Sequence, residues 1–253
     1  MQTELLHVRG WPEALELARS TPTAAGHAQV ILWPVSAKPS EQDWQILDAE
    51  EQRRAERFVR PQHRERFVAA HAGLRRWLAA CTAAQPEALR FASTGAGQKP
   101  RLQSSSVHFS LSHSQDWAAA AIMDGHQIGI DIEAVRSIEP ELPQRFFSEV
   151  EQKALATLTG EAWLRGCFHA WTRKEALLKA IGVGLALPLR AFSVSLLPDA
   201  PAALLASELP ELRVESWNLV DIDCIPGYCG ALAIPRTVEH VSIILVEGGD
   251  LCQ

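Results

Sequence analysis

Two segments hold most of the chemistry this sequence can offer. In Gln127-Ile128-Gly129-Ile130-Asp131-Ile132-Glu133 the apolar residues alternate strictly, which spells a strand. The isoleucines share one face, and Gly129, Asp131 and Glu133 share the other. Same-face neighbours on a strand lie roughly 7 Å apart. Both carboxylates can therefore offer an oxygen to one hard cation, and Gly129 leaves room beside them. Mg2+ suits oxygen donors and is often held by one or two carboxylates plus substrate phosphates. A half-buried strand with an acidic solvent face is the plainer alternative.

The second segment is Trp171-Thr172-Arg173-Lys174-Glu175-Ala176-Leu177-Leu178-Lys179. A helix advances about 100° per residue. With Trp171 at zero, Leu178, Leu164, Cys167 and Phe168 fall between about −40° and +60°. Glu175 falls at about +40°, inside that apolar arc, and Lys179 one turn on at about +80°. An ionised carboxylate buried there costs several kcal/mol unless a cation meets it. A metal ion or a substrate could be the partner, or Lys179 through an i,i+4 ion pair. Read with Asp131 and Glu133, Glu175 would complete a three-carboxylate site.

Anion-binding chemistry appears in two further places. Ser110-Leu111-Ser112-His113-Ser114 ends a strand and turns. Hydroxyl, imidazole and turn N–H groups can hold a phosphate. A Ser/His hydrolase would also need an orienting acid and an oxyanion hole, and the G-x-S-x-G elbow is absent. A purely structural role for His113 stays open. Eight arginines (Arg53, Arg54, Arg57, Arg60, Arg64, Arg66, Arg75, Arg76) face only Glu56 and Glu65 between residues 53 and 76. Their planar forks suit phosphates, although any one of them could line a solvated helix face.

A chain of 253 residues, 47% hydrophobic and 21% charged, has room for one large domain or two small ones. The net charge of −6 argues against wholesale nucleic-acid binding. The first twenty residues lack a signal-peptide core, and no stretch approaches a membrane span. Five cysteines without a C-x-x-C pair suggest reduced thiols in a cytoplasmic protein.

The elements that must position these residues follow from periodicity. Strands are expected at 28–36, 107–111 and 117–123, the last pairing with 128–133 as a hairpin through Asp124-Gly125. Helices are expected at about 41–59, 63–82, 138–158 and 161–182, the last closed by Gly182 and Gly184. Segments 192–196, 212–219, 230–234 and 241–246 read as strands of a second sheet. Phe109-Ser-Leu-Ser112 echoes Phe192-Ser-Val-Ser195. The whole suggests two α/β lobes, residues 1–125 and 126–247, with a tail at 248–253 and a ligand cleft between the lobes.

Together these segments resemble the 4'-phosphopantetheinyl transferases, in particular the larger single-chain type that serves nonribosomal peptide and polyketide synthases. The resemblance runs from about Asp48 to Pro235. Its signatures stand in order: Arg57-Phe58, Lys99-Pro100, Phe-Ser-Leu-Ser-His-Ser at 109–114, Ile-Gly-Ile-Asp-Ile-Glu at 128–133, Trp-Thr-Arg-Lys-Glu-Ala-Leu-Leu-Lys at 171–179, and Gly182 to Pro188 followed by Phe192-Ser-Val. It implies two lobes related by pseudo-twofold symmetry with coenzyme A between them. It implies Mg2+ on Asp131, Glu133 and Glu175, nucleotide phosphates on Arg54, Lys99, Ser112 and His113, and the diphosphate on Lys179. Gln98 stands where relatives carry glycine before the lysine, with Gly95 and Gly97 nearby. Glu51 stands where some relatives carry lysine, so Arg53, Arg57 or Arg66 would have to compensate.

The implied reaction moves 4'-phosphopantetheine from coenzyme A to a serine of an apo acyl or peptidyl carrier protein, as a holo-[acyl-carrier-protein] synthase does. It releases 3',5'-adenosine bisphosphate. Glu175 is the candidate base for the serine proton, and Lys179 the second positive charge on the leaving phosphate. An acidic carrier face would complement the arginines, no nucleic acid or membrane is needed, and a monomer suffices. Another Mg2+-dependent nucleotide-diphosphate enzyme, or a non-catalytic coenzyme A or carrier-binding module, is the alternative.

Overall fold

In a computed structural model of the chain, the described residues are 1–21, 26–92, 99–182 and 187–247. Their elements run β1 (Gln2–Val8), α1 (Trp11–Ser20), β2 (His27–Pro34), α2 (Glu41–Gln45), α3 (Ala49–Glu56), α4 (Pro61–Thr82), β3 (Phe91–Ala92), β4 (Arg101–Leu102), β5 (Val107–Ser114), β6 (Trp117–Asp124) and β7 (Gly129–Ala134). They continue with α5 (Leu142–Phe146), α6 (Glu149–Leu155), α7 (Gly160–Ile181), β8 (Phe192–Val194), β9 (Leu204–Ser207), β10 (Trp217–Asp221), β11 (Tyr228–Pro235) and β12 (His240–Val246). The fold is mixed α/β. One sheet has the order β1-β12-β2-β6-β5 and another the order β10-β11-β7.

The two sheets stack through their apolar inner faces. Val30 and Leu32 of β2, Ala119 and Ala121 of β6, Ile130 and Ile132 of β7, and Leu232 and Ile234 of β11 share one core cluster. The alternate residues point outward. Ile31 and Trp33 meet Leu74, Trp77 and Leu78 of α4, while Ala231 and Ala233 meet Leu177 and Leu178 of α7. Strands buried on both faces read as continuous apolar runs, as in Val30–Trp33. The order of layers is helix, sheet, sheet, helix. The two covering helices, α4 and α7, are each 22 residues long.

Four sequence expectations change here. First, segment 241–246 does not join the second sheet: β12 runs parallel between β1 and β2 in the first. Val241, Ile243 and Leu245 fill one core and Ile244 and Val246 the other, and only a central strand buries both faces. Nor does 192–196 join it, since β8 pairs with β9. Second, 117–133 is not a hairpin. β6 pairs with β5 and β2, leaving no free edge, and β7 pairs with β11. The turn at Gly125 (φ 70) carries the chain from one sheet to the other. Third, the helix expected at 138–158 is two short ones. Phe147 is extended and buried, and Ser148 opens α6 with a capping box to Glu151. Fourth, the helix expected at 41–59 breaks in the same way, where Asp48 opens α3 with a capping box to Glu51.

Candidate active site

Helix α7 is buried almost all round, so its acidic stripe is a window in a buried helix and not the core-facing arc. Thr172, Arg173, Lys174, Ala176, Leu177 and Leu178 are buried, whereas Trp171, Glu175 and Lys179 are half-buried and face β7 or the cleft beside it. Gly129 is what lets α7 come so close. A Cβ there would stand 2.0 Å from the Ala176 carbonyl oxygen and 2.4 Å from the Ala180 nitrogen. The room beside Asp131 and Glu133 is therefore filled by helix backbone, which sets Glu175 and Lys179 against the two strand carboxylates.

Lys179 does not pair with Glu175. Its Nζ donates to Asp131 Oδ1 at 2.7 Å, and Glu175 Oε1 is buried without a hydrogen-bond partner, as is Asp131 Oδ2. Burial, then the Asp131 charge, raises the Glu175 carboxyl to about 7, against the pull of Lys179. Burial also raises Glu133, with Asp131 adding to the rise and the Ser114 hydroxyl opposing it. Orphaned buried oxygens and raised carboxyls describe a site short of positive charge. A hard divalent cation fits that lack. The oxygens stand further apart than a closed coordination shell. Among the described residues, the one trio of His, Cys, Asp or Glu donor atoms all within 4.8 Å of one another lies elsewhere, at His169, Asp223 and Cys229.

A ladder of serines fixes these carboxylates from the neighbouring sheet. Ser110, Ser112 and Ser114 alternate along β5. Their Oγ atoms accept the N–H groups of Ile130, Ile132 and Ala134 at 3.1, 3.4 and 3.1 Å. Two of the hydroxyls also donate, Ser112 to Asp131 Oδ1 at 2.7 Å and Ser114 to Glu133 Oε2 at 2.6 Å. Opposite Ser110 stands Gly129, with no carboxylate to receive. Ser112, expected at a phosphate, belongs to this ladder. Its hydroxyl is buried and spent on Asp131 and Ile132.

Beside the carboxylates lies a cavity of about 300 Å³ lined by Arg54, Phe67, His71, Lys99, His113 and Lys179 among others. Lys99 donates to the Ile128 carbonyl. Burial, then Lys179 and Arg101, lowers its amine to about 7. Burial, then His71, Lys179 and Arg54, lowers His113 to about 4. Cations crowded enough to depress one another mark a place for an anion. Arg54 sits over the Phe67 ring at 5.3 Å, and Phe67 stacks on His71 at 4.0 Å. The structure thus gathers four of the five expected anion ligands (Arg54, Lys99, His113, Lys179) on one cavity, and Ser112 bonds Asp131 beside them. Gly95, Gly97, Gln98 and Gly184 lie outside the described residues.

His71 and Phe67 are not singled out by their residue types alone. The i,i+4 spacing from an aromatic to a histidine beside an arginine-rich run is the one signal that could have flagged them. Nor do all the arginines serve an anion. Arg75 is fully buried on Glu51 (2.7 Å) and Asp48 (2.5 Å), Arg76 binds Asp43, and Arg66 binds Asp116. Glu51 fixes His71 Nδ1 at 2.8 Å. Burial pushes the Glu51 carboxyl up, but His71 and Arg75 outweigh it and hold it below its usual range. A smaller cavity of about 120 Å³ adjoins Glu133, lined by Arg136, Ile138, Leu142, Cys167, Phe168 and Trp171.

An acidic patch with orphaned oxygens stands beside a cationic cavity in an α/β fold. Comparison with known proteins narrows the class. Residues 127–233 match the family model of the 4'-phosphopantetheinyl transferase superfamily. The 4'-phosphopantetheinyl transferase HetI of Nostoc sp. is 34% identical over 204 residues, 77% of this chain and 82% of its own. Psf-1 of Bacillus pumilus is 34% identical over 64% of this chain and 68% of its own, and Sfp of Bacillus subtilis 28% identical over 85% and 94%. The holo-[acyl-carrier-protein] synthase structure of Thermotoga maritima aligns over 43% of this chain and 62% of its own, with a TM-score of 0.36 and 18% identity. The chain belongs to the 4'-phosphopantetheinyl transferase superfamily and is a transferase of its larger single-chain type. No helix among the described residues is long and apolar enough to cross a membrane.

Proposed function

We propose that this protein moves phosphopantetheine from coenzyme A to a carrier-protein serine at the junction of β5, β7 and α7. The single observation that carries the assignment of the site is the meeting of Asp131, Glu133 and Glu175, two of them with buried unpartnered oxygens, beside the cationic cavity. Arg54, Lys99, His71 and His113 would receive the nucleotide phosphates, and Lys179 the diphosphate. A bound anion would raise the depressed Lys99 and His113 again. Asp131, Glu133 and Glu175 would hold Mg2+, which supplies charge neutralisation on a diphosphate. Glu175 Oε1 would take the proton of the carrier serine. The cavity past Glu133, walled by Phe168 and Trp171, would take the phosphopantetheine arm. The arginine-rich run would favour a carrier with an acidic face. A division into lobes near residue 125 is supported by the change of sheet at Gly125, although β12 returns to the first sheet. A pseudo-twofold relation is supported by two equal-length helices on opposite outer faces, although the sheets are unequal.

The test is an apo carrier incubated with coenzyme A, with and without Mg2+, and weighed by mass spectrometry. The expected result is one added phosphopantetheine per carrier, only with Mg2+. Release of a nucleotide product with no carrier modified would instead indicate a diphosphate hydrolase.

A further inference from the structure

Outside the cleft, three donor groups face one another. His169 lies on α7 and is 7% exposed. Cys229 lies on β11 and is fully buried. Asp223 sits exposed in the loop between β10 and β11. One donor atom from each lies within 4.8 Å of the other two. His169 Nε2 stands 4.0 Å from the Cys229 sulfur, and the other ring nitrogen, Nδ1, is buried with no hydrogen-bond partner. A contact that long between imidazole and thiol is a weak hydrogen bond. Burial holds the Cys229 thiol up at about 12, so it is not a nucleophile in wait.

We propose that His169, Asp223 and Cys229 form a binding site for one borderline-soft divalent cation such as Zn2+, separate from the proposed Mg2+ carboxylates. Sulfur and imidazole select such an ion over Mg2+. Tetrahedral bonds of ordinary length place sulfur and nitrogen about 3.5 Å apart. The observed separation therefore needs to close by only a few tenths of an ångström. Three protein donors with Asp223 at the solvent side leave a fourth position for water. On binding, the thiol proton passes to solvent and the sulfur binds as thiolate. Cys229 lies directly across from Glu133 in the sheet, so the ion would fasten α7 to β11 next to the cleft. The proposal does not depend on the transferase reading.

The experiment is titration of the chelator-treated full chain with Co2+ in excess Mg2+, followed by absorption and thermal melting with Zn2+. A sulfur-to-cobalt charge-transfer band saturating at one equivalent is expected, absent in Cys229→Ser and retained in Cys224→Ser. Asp223→Asn, at an exposed loop position, should weaken Co2+ binding at least tenfold and remove the Zn2+-induced rise in melting temperature. No charge-transfer band in the native chain, or a band that persists in Cys229→Ser, overturns the site. Should Cys229→Ser fail to fold, unchanged Co2+ affinity in Asp223→Asn overturns it equally.

Discussion

Lys174 and Glu175 are neighbours on α7, one buried and one half-buried, yet they live in opposite electrostatic worlds. Lys174 is completely satisfied. Its Nζ meets Glu151 at 2.9 Å and the carbonyls of Leu189 and Phe192 at 2.7 and 2.5 Å. Glu151 in turn accepts from the Val194 and Ser148 N–H groups. Glu175 has a buried oxygen with no partner. Around α4 the pairing differs with exposure, Arg75 being buried and Arg54 exposed. Arg75 is closed on Glu51, Asp48 and two carbonyls, whereas Arg54 forms no ion pair among the described residues. Buried charge that the fold needs is fully paired, since an unpaired one costs several kcal/mol. Buried charge left unpaired is free to meet a ligand, as the orphaned oxygens of Glu175 and Asp131 are at the cleft.

Several changes would break or sharpen this contrast. Gly129→Ala should have the largest effect, because the new methyl would strike helix backbone. Overpacking against backbone should exceed about 3 kcal/mol, lowering the melting temperature by roughly 6–12 °C and displacing Glu175 and Lys179 together. Glu175→Gln should cut turnover at least about 100-fold, as loss of a base does, while coenzyme A affinity measured calorimetrically without Mg2+ stays near native. Lys174→Met should do the reverse. It strands Glu151 at a cost of about 3–5 kcal/mol but leaves turnover near native well below the melting temperature. A Lys174→Met protein that melts normally yet turns over no faster than Glu175→Gln would erase the distinction.

Two smaller effects sharpen it. Ser114→Ala removes a hydroxyl that orients Glu133, so the Mg2+ needed for half-maximal rate should rise about tenfold, with kcat at saturating Mg2+ little changed. The pH dependence of stability tests Glu175 without any substrate. Its carboxyl is raised from 4.5 to about 7 in the folded chain. Between those values the folded state binds the extra proton, so its contribution to stability is present below pH 4.5 and is lost as pH rises through about 7. In the metal-free protein, Glu175→Gln should therefore melt above the native chain at pH 8 and level with it at pH 4.5. Equal melting at both would mean that the carboxyl is not strained by burial.

What could be read from the residues alone was whatever depends on local geometry. Strict alternation at 127–133 put Gly129, Asp131 and Glu133 on one face, and the 100° step put Glu175 and Lys179 a turn apart. The capping boxes at Asp48 and Ser148 were equally open to reading. They compete with a continuous helix through local hydrogen bonds, and missing them merged helices that are separate. Everything that required choosing among distant partners was decided by tertiary structure. Lys179 had Glu175 one turn away, but Asp131 on β7 took it. Ser112 carries no local sign of its partners, and β7 supplied both a carboxylate and an N–H. The apolar run 241–246 could suit any sheet with two faces to bury, and the first sheet offered a slot between β1 and β2. His169, Asp223 and Cys229 are scattered over sixty residues, and only the seating of α7 on β11 makes them neighbours. Backbone periodicity is written in successive residues, whereas pairing is settled by which distant groups can desolvate together at least cost.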